Sequence, residues 1–278
     1  MFHIPDETLA AMIREDLPFG DLTTRSLGLS GSARLEMRAR ADMTACATEE
    51  AARIFRMLGA EAAVLVPSGG QAPAGTPLLR AAGGAEAILA GWKVAQTLAE
   101  WASGIATAAR AIVDAAEAVR SGIAVACTRK PVPGTRALSL KAVTSGGAAI
   151  HRTGLSDTVL LFPEHCALGG EGALAVQVAQ LRASCPEKRI VVEVGSRRDA
   201  LIAARHGADV IQLEKFLPED VAAAARALAP QWSGTLAAAG GIHAGNAAAY
   251  AESGADVLVT SSPYSAKPAE IAVSIARP

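Results

Sequence analysis

From Ile123 onward the 278-residue chain alternates short apolar runs with helical patterns, and this rhythm limits the possible folds more than any other feature. The apolar runs begin near Ile123, Asp157, Arg189, Asp209, Gly234 and Asp256; helical periodicity fills 135–148, 171–183, 197–206, 218–229 and 243–253. Continuous apolar runs are the mark of strands buried on both faces, as in a parallel sheet covered by helices. Gly207 and Gly254 each close a helix within a Gly-Ala-Asp-Val repeat that leads into the next strand. Six such units fit an open doubly wound sheet or a barrel. Two features favour the barrel. No G-x-G-x-x-G follows the first strand, which weakens a dinucleotide fold. The last two strands end in Ala239-Gly240-Gly241-Ile242 and Thr260-Ser261-Ser262, small residues at the place where α/β barrels commonly hold a phosphate.

The first hundred residues follow different rules. Pro5-Asp6-Glu7 opens a helix with Leu9, Met12 and Ile13 on one face. A turn-rich stretch, 16–24, follows it. From Ser32 to Ala41 apolar and charged residues alternate, as in a half-buried strand whose charges form a solvated face. Thr48-Glu49-Glu50 is expected to cap a helix that Gly59 closes, with strands near 62–66 and 77–80. This is an α+β module with an antiparallel sheet. A long helical stretch from Ala85 is expected to break at Ser103-Gly104, with a second helix to Arg120. The predicted division is an α+β sandwich with its linking helix over 1–104, an α/β barrel over 105–265, and a C-terminal helix over 266–278 that packs back on the first domain.

Composition narrows the partners. Hydrophobic residues make up 51% with only 4% aromatic, so the core is one of alanine-rich, close-packed helices. The formal net charge of −1 gives no global field for nucleic acid or an anionic membrane, and any anion must be bound locally. Cys46, Cys127, Cys166 and Cys185 show no C-x-x-C spacing, which argues against a zinc site or disulfide framework. With neither a signal core nor a span-length apolar segment, the expectation is a soluble cytoplasmic protein.

In a barrel, functional residues sit at the C-terminal ends of strands. Read in order, those ends offer Arg129-Lys130, Phe162 with Glu164 and His165, Glu193, Glu214 with Lys215, Gly240-Gly241, and Ser261-Ser262, with His151-Arg152 ahead of the second run. Glu193 and Glu214 lie in apolar strands, where a carboxylate is costly unless a cation meets it. That cation is Mg²⁺, a positive charge developing on a substrate, or a structural partner such as Lys130 or Arg152. Cations on one side, carboxylates on the other and a phosphate cradle beyond suit a phosphoribosyl donor, whose oxocarbenium-like transition state fixed carboxylates can stabilise.

Several stretches, in order, resemble the quinolinate phosphoribosyltransferase (nicotinate-nucleotide pyrophosphorylase) family: Gly20-Asp21-Leu22-Thr23-Thr24, Ser103-Gly104-Ile105-Ala106-Thr107, Thr128-Arg129-Lys130 with Pro133-Gly134, His151 through Asp157, Glu193, and Gly240-Gly241-Ile242. The resemblance covers nearly the whole chain. It implies an N-terminal sandwich, an incomplete TIM-like barrel, a homodimer, phosphoribosyl pyrophosphate (PRPP) held with Mg²⁺ near acidic residues, and a small anionic acceptor. Carried over by position, it makes Lys130, Glu193 and Glu214 catalytic, the two glutamates indirect metal holders, and Gly240, Gly241, Ser261 and Ser262 phosphate-binding. Arg129, Lys130, His151 and Arg152 match the family's anion cluster, with Arg129, His151 and Arg152 on the acceptor.

Departures from the family pattern leave the phosphoribosyl side mostly intact and alter the acceptor side. Lys93 stands where the resemblance implies an arginine donated across the dimer, and Arg to Lys exchanges a fork for a point charge. Phe162 replaces a quinolinate-contacting lysine, Glu214 an aspartate, Ala239 a serine and Ser261 a glycine. Lys215 or His165 would have to supply the missing charge for a dicarboxylate. Gly91-Trp92-Lys93 and the segment from Ser262 to Pro268 are similar to the ModD subgroup, pyrophosphorylases associated with molybdenum transport. Two other readings compete: a non-catalytic oxyanion- or cofactor-binding protein in molybdenum transport, and a Schiff-base enzyme using Lys130.

Overall fold

A computed structural model describes residues 2–170 and 172–278. In chain order the elements are α1 (Asp6–Asp16), α2 (Leu22–Ser26), β1 (Ser32–Ala39), β2 (Met43–Thr44), α3 (Thr48–Met57), β3 (Glu61–Val64), β4 (Gln71–Ala72), β5 (Pro77–Gly84) and α4 (Ala85–Glu117). They continue with β6 (Ala124–Cys127), α5 (Arg136–Ser145), β7 (Ala149–Ile150), β8 (Val159–Leu161), α6 (Pro163–Ala167), α7 (Ala173–Ser184), β9 (Ile190–Val194) and α8 (Arg197–Arg205). The last are β10 (Val210–Glu214), α9 (Pro218–Leu228), β11 (Thr235–Ala239), α10 (Ala247–Glu252), β12 (Val257–Thr260) and β13 (Ile271–Ala276). Glu171, the expected start of the helix over 171–183, lies outside the described residues. Among those described, no helix is long and apolar enough to cross a membrane.

The chain forms two compact units. The first comprises residues 1–110, 131–147 and 263–278. Its antiparallel sheet has the order β13-β1-β5-β3. On β1, Ala33, Leu35, Met37 and Ala39 are buried, and on the wet face Glu36 pairs with Arg80 at 2.8 Å and Arg38 at 2.5 Å. The alternation in the sequence reports this geometry directly.

Three sequence expectations are corrected in this unit. The segment 266–278 is not a helix: β13 adds to the edge of β1, with Leu35 opposite Ile275 and Met37 opposite Val273. Its Ile-Ala-Val-Ser-Ile pattern gives a β-branched residue at every second position, the period of a strand. Ser103-Gly104 does not break the long helix, since α4 is continuous over 33 residues. Both residues serve close packing instead. The Ser103 hydroxyl accepts the Cys46 N–H at 2.9 Å, and a Cβ on Gly104 would lie 2.3 Å from the Lys267 carbonyl oxygen. Thr48 does not cap α3 with its side chain, because its hydroxyl donates to the Val66 carbonyl at 2.8 Å.

The sequence boundaries at 104 and 265 also miss the inclusion of 131–147 in the first unit. Within that segment Lys141, on α5, is 3% exposed and meets Glu50 at 2.5 Å and Glu49 at 3.0 Å.

The second unit comprises residues 111–130 and 148–262. All its strand pairs are parallel, in the order β7-β6-β12-β11-β10-β9-β8. Each strand adjoins its successor from β8 to β12, and β12 then pairs with the first strand, β6. A doubly wound sheet reverses direction from its middle; this order runs round a circle and opens between β7 and β8. The unit is an incomplete barrel of seven strands. The seventh, β7, is two residues long and lies beyond the reach of periodicity.

Candidate active site

The C-terminal strand ends of the second unit enclose a cavity of about 630 Å³. Its wall follows the strand order. Thr128, Arg129 and Lys130 leave β6, and His151 and Arg152 leave β7. Phe162 and Glu164 follow β8, Glu193 lies on β9, and Gln212, Glu214 and Lys215 come from β10. Gly240, Gly241 and His243 follow β11, and Ser261 and Ser262 follow β12. The structure therefore brings together every residue singled out at the strand ends except His165, and it adds Gln212 and His243.

The cationic side is tied to the sheet through its backbone. The Thr128 N–H donates to Thr260 O at 2.8 Å, and the His151 N–H to Cys127 O at 3.0 Å. Arg152 is only 6% exposed, and its guanidinium lies 5.3 Å from the centre of the Phe162 ring, within cation–π range. Burial, and then the charge of Arg129, hold the Arg152 pKa below its ordinary value. Burial, with the Arg152 charge behind it, also lowers His151, so this imidazole favours the neutral form. His165 points elsewhere: its Nδ1 accepts the Phe162 N–H at 3.0 Å and the two rings stack.

The acidic side is unusual for what it lacks. Among the described residues, neither Glu193 nor Glu214 forms an ion pair, so the structural pairing with Lys130 or Arg152 is not made. Glu193 instead accepts a hydrogen bond of 2.6 Å from Gln212 Nε2, its register neighbour on the next strand. Burial raises the Glu193 pKa most, and the charge of Glu214 adds to it. The charge of Lys130 works against that rise without closing an ion pair, and two carboxylates sharing a cavity in this way are costly unless a ligand supplies further positive charge.

Beyond β11 the chain makes a left-handed turn through Gly240 and Gly241, with φ of 91° and 78°. A Cβ at Gly240 would come within 2.8 Å of Lys215 Cγ and 2.9 Å of its backbone nitrogen, so only glycine lets the turn close on the end of β10. Lys215 is itself left-handed (φ 62°), and its N–H donates to Ala239 O at 2.7 Å. Asn246 braces the turn by donating to Gly241 O at 3.0 Å and accepting from the His243 N–H at 2.8 Å. On the neighbouring loop the Ser262 N–H is committed to Thr260 Oγ1 at 3.0 Å.

Lys93 is not in this cavity wall. It lies on α4 in the first unit, exposed, with Nζ donating to Gln96 at 2.9 Å and standing 4.1 Å from the centre of the Trp92 ring. Gln212 escaped the sequence reading because one amide in an apolar strand carries less signal than a charge. Its only sequence mark is that it sits two residues before Glu214, on the same face of the strand.

Among the described residues no group of three or more His, Cys, Asp or Glu side chains could hold a metal ion. The two glutamates do fit a metal of the Mg²⁺ kind, which takes one or two carboxylates and completes its shell with substrate phosphates and water.

Comparison with known proteins agrees with this geometry. Residues 21–103 match the N-terminal domain model, and 105–274 the C-terminal domain model, of quinolinate phosphoribosyl transferase. The chain is 63% identical over 249 residues to "Putative pyrophosphorylase ModD" of Rhodobacter capsulatus, covering 89% of this chain and 96% of the relative. It is 30% identical over 276 residues to "Probable nicotinate-nucleotide pyrophosphorylase [carboxylating]" of Methanocaldococcus jannaschii, covering 97% and 96%. The crystal structure of NadC from Streptococcus pyogenes superposes with a TM-score of 0.89 at 27% identity, over 98% of this chain and 96% of that one. The chain thus belongs to the quinolinate phosphoribosyl transferase family, an enzyme family of the pentosyltransferase class.

Proposed function

We propose that this cavity transfers the phosphoribosyl group of PRPP to a planar heteroaromatic acid other than quinolinate, releasing pyrophosphate. The observation that carries the reading is the pair of carboxylates, Glu193 and Glu214, which face one cavity opposite its cationic side and, among the described residues, form no ion pair. In the reaction the ribose C1–O bond breaks, and its electron pair leaves on pyrophosphate. A ring-nitrogen lone pair of the acceptor then forms the C1–N bond. Positive charge accumulates on the ribosyl group between these events, and the two glutamates stabilise it without bonding to it. Mg²⁺, held by Glu193 and Glu214 together with donor oxygens, would neutralise pyrophosphate charge.

The remaining roles follow the wall. Lys130 meets the departing pyrophosphate. Gly240, Gly241, Ser261 and Ser262 cradle the terminal phosphate. Arg129, His151 and Arg152 orient the acceptor acid against Phe162. Lys93 of a second copy supports the acceptor across a homodimer interface. An apolar ring at Phe162 leaves one carboxylate of a dicarboxylic acceptor without its cation, which disfavours quinolinate by roughly thirty-fold or more.

The test is the double variant Glu193→Gln with Glu214→Gln. Pyrophosphate release is expected to fall by about a thousand-fold or more, with the melting temperature little changed. Retained release in a folded variant would remove the carboxylates from the chemistry.

A further inference from the structure

Three polar atoms of this cavity wall are shielded from solvent and have no hydrogen-bond partner among the described residues: Thr128 Oγ1, Arg129 Nε and Gln212 Oε1. Such atoms are scarce in folded proteins, and their concentration here marks a site completed by further contacts. Gln212 differs from the other two because its opposite end is already committed. Nε2 donates to Glu193 Oε2 at 2.6 Å, and the residue is only 4% exposed. Turning the amide over would set its oxygen against the carboxylate, so the orientation is fixed by charge. The His151 imidazole stands beside it. The amide is near enough to favour the protonated ring against the effect of burial, although no hydrogen bond closes between them.

We infer that Gln212 is a positioning residue that bridges Glu193 on β9 to His151 beyond β7, with Nε2 held on the carboxylate and Oε1 taking an imidazole N–H after a small turn of the ring. This rests on reading the cavity as the phosphoribosyl-transfer site. The bridge has two effects. It locks the plane of a carboxylate that has no ion pair to hold it. It also places the imidazole proton on the Gln212 side, so the neutral ring offers its other nitrogen as a lone pair.

Gln212→Met keeps the volume and removes both bonds. Its kcat for pyrophosphate release is expected to fall about ten-fold or more, while the KM for PRPP stays within about three-fold. In ¹⁵N NMR spectra the His151 ring should pass from one tautomer to a mixture. An unchanged kcat, a loss carried by KM, or an identical imidazole pattern in variant and wild type would each overturn the assignment. Should Gln212→Met melt too early to assay, Gln212→Asn, too short to span both partners, gives the same readouts. The two readings fail separately: the imidazole pattern reports on the bridge in protein without substrate, and a PRPP-induced rise in melting temperature reports on the transfer site.

Discussion

Replacing Lys141 by methionine tests the packing of the first unit with a magnitude the structure supplies. Its ammonium lies 2.5 Å from Glu50 and 3.0 Å from Glu49, and the side chains of Lys141 and Glu50 are 3% and 4% exposed. Glu49 has other support, since it accepts the Ser68 N–H at 2.8 Å and the Ser68 hydroxyl at 2.5 Å. Glu50 depends on the lysine. Removing one partner of a buried pair leaves an uncompensated charge and costs about 3–5 kcal/mol. For a protein of this size that is a fall of roughly 5–9 °C in Tm. The assay is urea unfolding followed by circular dichroism, with a thermal melt alongside. Adding Glu50→Gln removes the stranded charge and should recover more than half of the loss. A loss below about 1 kcal/mol for Lys141→Met, or a further loss on adding Glu50→Gln, would refute the reasoning.

Three more predictions concern the cavity. Gly240→Ala must adopt a left-handed φ and press a Cβ on the Lys215 backbone; PRPP-dependent pyrophosphate release should fall at least about a hundred-fold, with circular dichroism unchanged. His151 has a depressed pKa in the fold, through burial and then Arg152, so its contribution to stability is present above 6.5 and is lost as pH falls from 6.5 through the folded value. Urea midpoints at pH 7.5 and 5.5 should therefore differ less in His151→Asn than in the wild type. Phe162→Lys restores a cation beside Arg152 and should raise kcat/KM for quinolinate about ten-fold or more in a pyrophosphate-release assay, a gain that a purely structural Phe162 would not give.

The barrel was legible because buried parallel strands leave continuous apolar runs, and Glu193 and Glu214 stood out within them as costly charges. Arg129-Lys130 and His151-Arg152 were legible as cations at element ends. What escaped notice had physical causes. β7 is too short to show a period. Ser103-Gly104 looks like a helix break until the Lys267 carbonyl is found against Gly104. The tail after Pro263 reads correctly only beside β1, the edge that it completes. Lys141 looks like an ordinary helix lysine, since its two glutamate partners lie about ninety residues away. Gln212 shows its importance only through the register that sets it beside Glu193.

The most direct test of the central claim is pyrophosphate release by the wild-type protein with PRPP and Mg²⁺, run in parallel with quinolinate and with a panel of other heteroaromatic acids that includes nicotinate. The account predicts release with at least one of these other acids at a kcat/KM well above that for quinolinate. Robust release with quinolinate alone would contradict the acceptor assignment built on Phe162, and no release with any acid, together with no PRPP-induced rise in melting temperature, would contradict the account as a whole.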